Sequence, residues 1–187
     1  MKKISFKAVF IPVISLFIIC AVMTAALAIT NGVTATKIAE NEAQSQQESM
    51  TIVCPDAVEF EEITADVLYA GKDGSGNIVG YAISTVANGY GGQVKVMTGI
   101  KDGEIINIDV YYNDDETPGL GKNTSNEDFT SRLKGLFTNY SIVVDKDYAG
   151  NGQKVDAVTS STISSRAVIA AVNEACEIYN AEIGGEQ

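Results

Sequence analysis

With 187 residues, 45% of them hydrophobic, the chain is long enough for one ordinary domain and an appendage but not for two full cores. A net charge of −11 disfavours nucleic acid and anionic lipid surfaces as partners. The absence of His removes the usual metal ligand and the usual general base, which sets aside zinc chemistry and hydrolytic triads.

The appendage is N-terminal. Residues 8–30, "AVFIPVISLFIICAVMTAALAIT", carry no charge; at about 1.5 Å per helical residue they reach roughly 35 Å, enough for a ~30 Å hydrocarbon core. Ala26-Leu27-Ala28 has the small residues of a cleavage site, but the run exceeds the roughly 7 to 15 apolar residues of a secretory signal. It reads as a retained single-pass anchor. Bulky Ile19 before Cys20 argues against a lipid-modified cysteine. Lys2, Lys3 and Lys7 precede the span and no basic residue follows until Lys37, so residues 1–7 are expected in the cytoplasm and the rest outside the cell (inner) membrane. Beyond the span, ten Lys and Arg face all 24 Asp and Glu. Cys54 and Cys176 fall where a disulfide is permitted, and their spacing leaves pairing open.

Residues 31–54 are expected to form a polar stalk: "TKIAENEAQSQQESM" has few apolar anchors and reads as a helix that continues from the membrane and then frays, a spacer rather than a core element. Pro55 marks entry to a domain over residues 55–187. There "TADVLYA" and "IVGYAISTVA" flank the turn-rich "GKDGSGN", and after the Gly cluster "NGYGG" the runs "QVKVMTGI" and "IINIDVYY" are joined by "KDGE", a strong Asp-Gly hairpin signal. These four runs predict an antiparallel meander. A long acidic loop from Asn113 to Asp128, a short helix in "EDFTSRLKGLF" (Glu127 to Phe137) that ends near Gly135, and a strand over 141–145 follow. Val168, Val172, Ala175 and Tyr179 then recur at helical spacing, predicting an amphipathic helix over about 161–180. The fold class expected is α+β, an antiparallel sheet with a C-terminal helix behind one N-terminal transmembrane helix.

Six hydroxyl residues crowd the seven positions of "TSSTISS", Thr159 to Ser165, before that helix. Ser and Thr are favoured as N-caps, yet a helix needs only one. A helix N-terminus also presents unpaired N–H groups and a positive dipole end, which favour a phosphate. Arg166 stands in the first turn, either as a bidentate phosphate contact or as a solvated charge.

The order of residues sharpens the second reading. "DAVTSST", Asp156 to Thr162, resembles the Asp-x-x-(Ser/Thr)-Gly-Ala-Thr pattern of the FMN-binding domain family, with Ser160 where Gly is usual and Ser161 where Ala is usual. "ETPGLG" (Glu116 to Gly121) and "GYGG" (Gly89 to Gly92), the latter followed by "VMTGI" and "DGEI", look like further signatures of the same family. With the single span, the chain resembles the G subunit of Rnf-type electron-transport complexes, related to the C subunit of the sodium-translocating NADH:quinone oxidoreductase.

The resemblance implies FMN held covalently by a phosphoester to Thr162, with Asp156 and Thr159 as the recognition frame and Ser160 and Ser161 beside the attachment point. Ser164 and Ser165 are implied as phosphate contacts or caps, and Glu116, Thr117, Gly119 and Leu120 as cofactor-binding residues. It further implies maturation by a separate flavin transferase using FAD. The partners implied are the other membrane subunits of a complex that links ferredoxin and NAD to ion transport. The chain itself is then an electron relay without catalytic or metal-binding residues. Asp114, Asp115 and Glu116 are expected to lower the flavin potential if they lie close to it. Two other readings stay open: a free-standing anchored FMN carrier for extracellular electron transfer, and a non-redox exported binding or sensor module.

Overall fold

The computed structural model describes residues 6–184. Lys2 and Lys3, on which the orientation argument rests, and most of the expected cytoplasmic segment 1–7 lie outside the described residues.

Helix α1 spans Phe6–Val53 without a break. The chain divides into two compact units, Met1–Ala43 and Gln44–Gln187. In the first, the helix exposes Phe10, Ile14, Phe17, Val22 and Leu27. Its most apolar window has a mean hydropathy of 2.6 with nothing packed over it, and it is long and apolar enough to cross a membrane. Thr30 and Thr34 donate their hydroxyls to Ala26 O (3.0 Å) and Thr30 O (2.8 Å), which hides these polar groups on the helix's own backbone.

The expected fraying of the stalk does not occur. In the second unit, Met50, Val53 and Cys54 are buried against Tyr69, Ala82 and Met97. Ser49 donates to Asp109 Oδ2 (2.7 Å), and Asn107 Nδ2 donates to Ile52 O (2.8 Å). The end of the polar stretch is thus a core element: burial of a few apolar side chains outweighs the low apolar content of the segment before it.

The sheet has five strands in meander order, β1 Glu59–Thr64, β2 Leu68–Lys72, β3 Ile78–Asn88, β4 Gln93–Lys101 and β5 Glu104–Tyr112, every neighbouring pair antiparallel. The expected run "TADVLYA" is not one strand. It holds the end of β1, a turn with Asp66 at φ 59°, and the start of β2. The β4–β5 hairpin matches its sequence signal: Lys101 pairs with Glu104 across Asp102 (φ 52°) and Gly103 (φ 77°), the two positive φ values a type I′ turn requires.

Alternation along the strands builds two faces. Tyr69, Ala82 and Met97 meet the end of α1, while Leu68, Ile83, Val96 and Ile100 face the other way into the larger core. That core is closed by α3, Thr162–Glu182, which packs Val168, Val172, Ala175 and Tyr179 onto β3 and β4. Thr85 donates to Ala171 O (2.9 Å), and the Tyr81 and Tyr179 rings meet edge to face at 5.7 Å.

The helix expected from Glu127 to near Gly135 is only α2, Glu127–Thr130, followed by a 3₁₀ turn, Ser131–Leu133. Phe129 and Leu133 are what it buries. The strand expected over 141–145 is β6, Ile142–Val144, paired in parallel with β7, Gln153–Val155. Asn173 of α3 bonds both Ile142 N and Ile142 O, which ties β6 to the helix.

Cys54 and Cys176 are free, each buried in a different core cluster. Burial, helped by Asp56 and Glu177 respectively, pushes both thiols up to about 12. At about pH 8 neither holds appreciable thiolate, so iodoacetamide is expected to leave both unmodified in the folded chain and to modify both after denaturation. Peptide mass mapping reads this; alkylation of either cysteine in the folded chain would contradict the packing.

Candidate functional site

Three connections meet at the N-terminus of α3: the β3–β4 loop with "GYGG", the loop after β5 with "ETPGLG", and the segment from Asp156 to Ser161. A carboxylate joins the first two to the first turn of α3. Glu116 is 2% exposed. Its Oε1 accepts the N–H groups of Tyr90 (2.6 Å) and Gly91 (3.4 Å), and its Oε2 accepts the Ser164 hydroxyl (2.9 Å). The flanking glycines are required sterically, since a Cβ at Gly89 or Gly121 would overlap a Glu116 carboxylate oxygen. Two motifs that lie apart in sequence are therefore two halves of one contact.

The "ETPGLG" loop is shaped for this. Pro118 and Gly119 (φ 77°) take the central positions of a type II turn closed by Leu120 N–H on Thr117 O (3.1 Å). Asn123 Nδ2 holds Gly119 O (2.8 Å), and Thr124 Oγ1 holds Gly121 O (2.7 Å).

Beside the carboxylate lies a cavity of about 450 Å³, in the ordinary range for small-ligand sites. Thr162, the first residue of α3, lines it with Ser160, Ser161, Ser164, Glu116, Thr117 and Leu120. Tyr90, Leu120 and Ile163, each more than two-fifths exposed, give it an apolar rim. Ser161 occupies the N-cap position, but no side chain caps the helix. Its own Oγ is buried with no hydrogen-bond partner. The first helical bond closes from Ser165 N to Ser161 O, so the N–H groups of Thr162, Ile163 and Ser164 precede any intrahelical acceptor. The hydroxyl cluster is therefore not a cap. It surrounds an uncapped helix end with a buried hydroxyl left over.

Ser160 is held at φ 62°, in the left-handed region that favours Gly. That is the physical reason for Gly at this place in the pattern that the sequence resembles. The remaining residues separate. Ser165 lies outside the cavity, and its Oγ accepts Val158 N–H (3.0 Å). Thr159 and Gly119 line a neighbouring groove that shares Leu120 and Ser160 with the cavity. Asp156 is exposed, and its carbonyl accepts Arg132 Nη1 (2.8 Å). Arg166 makes a bidentate pair with Asp147 (2.7 and 2.6 Å), which draws the Asp147 carboxyl below the usual carboxylate range and leaves the guanidinium engaged outside the cavity. Asp114 pairs with Lys122 (2.9 Å) and Asp115 accepts the Tyr112 hydroxyl (3.3 Å), both exposed. Of the three acids, Glu116 alone lines the cavity.

Sequence reasoning did not single out Tyr90, Gly121 or Ile163 as cavity residues. The first two sit inside quoted motifs, and Ile163 is the one apolar residue within "TSSTISS", a signal that was available.

Comparison with known proteins agrees with this geometry. Residues 89–177 match the FMN-binding domain family, and the matched stretch holds all three connections of the site. Residues 1–53 match the RnfG N-terminal region. The chain is 37% identical to the G subunit of the Na(+)-translocating ferredoxin:NAD(+) oxidoreductase complex of Acetobacterium woodii, across 95% of this chain and 94% of that one. It is 32% identical to the G subunit of the ion-translocating oxidoreductase complex of Methanosarcina acetivorans, across 92% and 95%. The chain belongs to the family of G subunits of Rnf-type ion-translocating oxidoreductase complexes. Among solved structures, the C subunit of the Na(+)-translocating NADH-quinone reductase from Parabacteroides distasonis superposes with a TM-score of 0.50 at 20% identity, over 60% of this chain and 59% of that one, a likeness of fold.

Glu116→Ala leaves the Tyr90 and Gly91 amides without their acceptor, at a cost on the order of 2–3 kcal/mol. Amide hydrogen exchange at these residues should accelerate, whereas Glu116→Gln, with Oε1 still facing the amides, should stay near wild type; equal exchange in all three proteins would contradict the tie. Ser160→Gly relieves a left-handed serine at the cost of unfolded-state entropy, for a net gain of up to about 1 kcal/mol and a Tm rise of roughly 2–4 °C. A lowered Tm by calorimetry would contradict the strain.

Proposed function

We propose that the chain carries FMN esterified through its phosphate to Thr162 and relays electrons between neighbouring subunits of its membrane complex. The observation that carries this is the Ser161 hydroxyl, buried without a partner at an uncapped helix N-terminus one residue before Thr162. A buried orphan hydroxyl costs free energy unless a ligand satisfies it, and unpaired helical N–H groups suit an anion. A phosphodiester retains one negative charge for them to stabilise.

The residues present fit the group. Thr162 supplies the hydroxyl oxygen, Ser161 Oγ and the N–H groups of the first turn supply phosphate donors, and Tyr90, Leu120 and Ile163 supply apolar surface for a flat ring system. Ser164 acts indirectly, since its hydroxyl is engaged by Glu116. When bound, the isoalloxazine supplies the redox chemistry, and the protein supplies position and electrostatics.

Attachment requires a flavin transferase with FAD as donor: the Thr162 hydroxyl gives up its proton, its oxygen forms a bond to the phosphorus of the FMN half as the bond from that phosphorus to the bridging oxygen breaks, and AMP leaves with the bridging oxygen. Thr162 is partly exposed at the start of α3, which suits an approach by a second protein. The covalent link prevents cofactor loss outside the cytoplasm, the side on which the positive-inside bias puts residues 31–187. In this reading the complex as a whole couples electron flow between ferredoxin and NAD to ion transport. The near full-length match to members of such complexes supports this over a free-standing carrier, which shares the same motifs.

Chain produced together with the transferase is expected to gain the mass of one FMN less one water, and Thr162→Ala to abolish the gain while the fold persists by circular dichroism. An unshifted wild-type mass, with the transferase active on another acceptor, would sink this reading.

A further inference from the structure

Charge near a redox group biases its potential, and the chain has acidic residues close to the site: Asp114, Asp115 and Glu116. Their environments differ. Asp114 is largely solvated and paired with Lys122, and Asp115 is exposed, so solvent and salt screen both. Glu116 is 2% exposed, lines the cavity, and is fixed by Tyr90 N–H, Gly91 N–H and the Ser164 hydroxyl, all neutral donors. Hydrogen bonds of this kind hold a carboxylate in place and spread its charge without cancelling it.

We propose that Glu116 is a positioning residue whose fixed, buried negative charge in the cavity wall holds the potential of the bound flavin low. The inference rests on the FMN reading above. A negative charge held in a low-dielectric wall opposes the arrival of electrons beside it, and acts over several ångströms with little screening. The same charge sits against the first turn of α3, where it offsets part of the positive helix end that otherwise favours the reduced cofactor. The bonds from the Tyr90 and Gly91 amides and the Ser164 hydroxyl keep the carboxylate from rotating out to water, and its oxygens occupy the space that a Cβ at Gly89 or Gly121 would need. A low potential then comes from one residue, set by geometry, rather than from the general acidity of the chain.

The test is the midpoint potential of the full chain loaded by the transferase, by spectroelectrochemical titration, with intact mass confirming one FMN per chain in each protein. Glu116→Gln keeps the acceptor for the two amides and removes the charge. Its potential should move positive, and the difference from wild type should persist in about 1 M salt, where the Debye length is about 3 Å. Asp114→Asn should leave the potential unchanged. Ser164→Ala removes a donor from the carboxylate and should move the potential the opposite way, more negative, which loss of structure alone does not predict.

A loaded Glu116→Gln chain with an unchanged or more negative potential overturns the inference. If Glu116→Gln is not loaded, Ser164→Ala decides, and an unchanged or positive shift there overturns it. A wild-type chain that gains no FMN overturns the functional reading, and this inference with it.

Discussion

A carboxylate removed from water between two glycines and the first turn of a helix needs donors from every segment around it. Glu116 finds them on the β3–β4 loop and on α3, and is itself presented by the loop after β5. Leaving such a group unsatisfied costs several kcal/mol on the order of magnitude known for buried charges, so the two loops and the first turn of α3 hold one another in register. The sheet and helix could form a core without it, because Ile83, Val96, Val168 and Val172 bury themselves regardless. What the carboxylate adds is a cavity with a defined wall at the end of that core.

Another part of the lining is built differently. Ser160 is kept in a backbone region that suits Gly, and Ser161 keeps a hydroxyl buried with nothing to bond. Both are unfavourable in the chain alone, and both stand next to Thr162. Strain and unsatisfied polarity concentrated at one point are what a ligand-binding helix N-terminus shows when its ligand supplies the missing bonds. The membership of the chain among Rnf-type G subunits, whose relatives share nearly its whole length, places this site in an electron-transport family.

Much of the fold was legible because local chemistry was decisive. Asp102-Gly103 specified a type I′ turn, alternation defined β3 to β5, and helical spacing of Val168, Val172, Ala175 and Tyr179 defined α3. β1 was not legible: "EFEEIT" turns only Phe60 toward a neighbour, and charges along an edge strand mask its period. Nor was the end of α1, where Met50, Val53 and Cys54 gain their stability from a sheet far along the chain. At the site, the motifs were readable in order but not in contact. That Ser164 serves Glu116, Ser165 serves Val158 and Arg166 serves Asp147 depends on side-chain directions that spacing alone does not carry. Of the six hydroxyls, Ser161 is left buried and unbonded, Ser164 is engaged by a carboxylate and Ser165 by backbone.

The central claim is that Thr162, and not one of its hydroxyl neighbours, carries the flavin. Tandem mass spectrometry of the chain purified from its own membranes tests this directly, by locating the modification on the peptide that includes Val155 to Arg166. The account predicts FMN on Thr162 with Thr159, Ser160, Ser161, Ser164 and Ser165 unmodified. FMN on any of those five, or a fully matured complex in which this chain holds no covalent flavin, would contradict it.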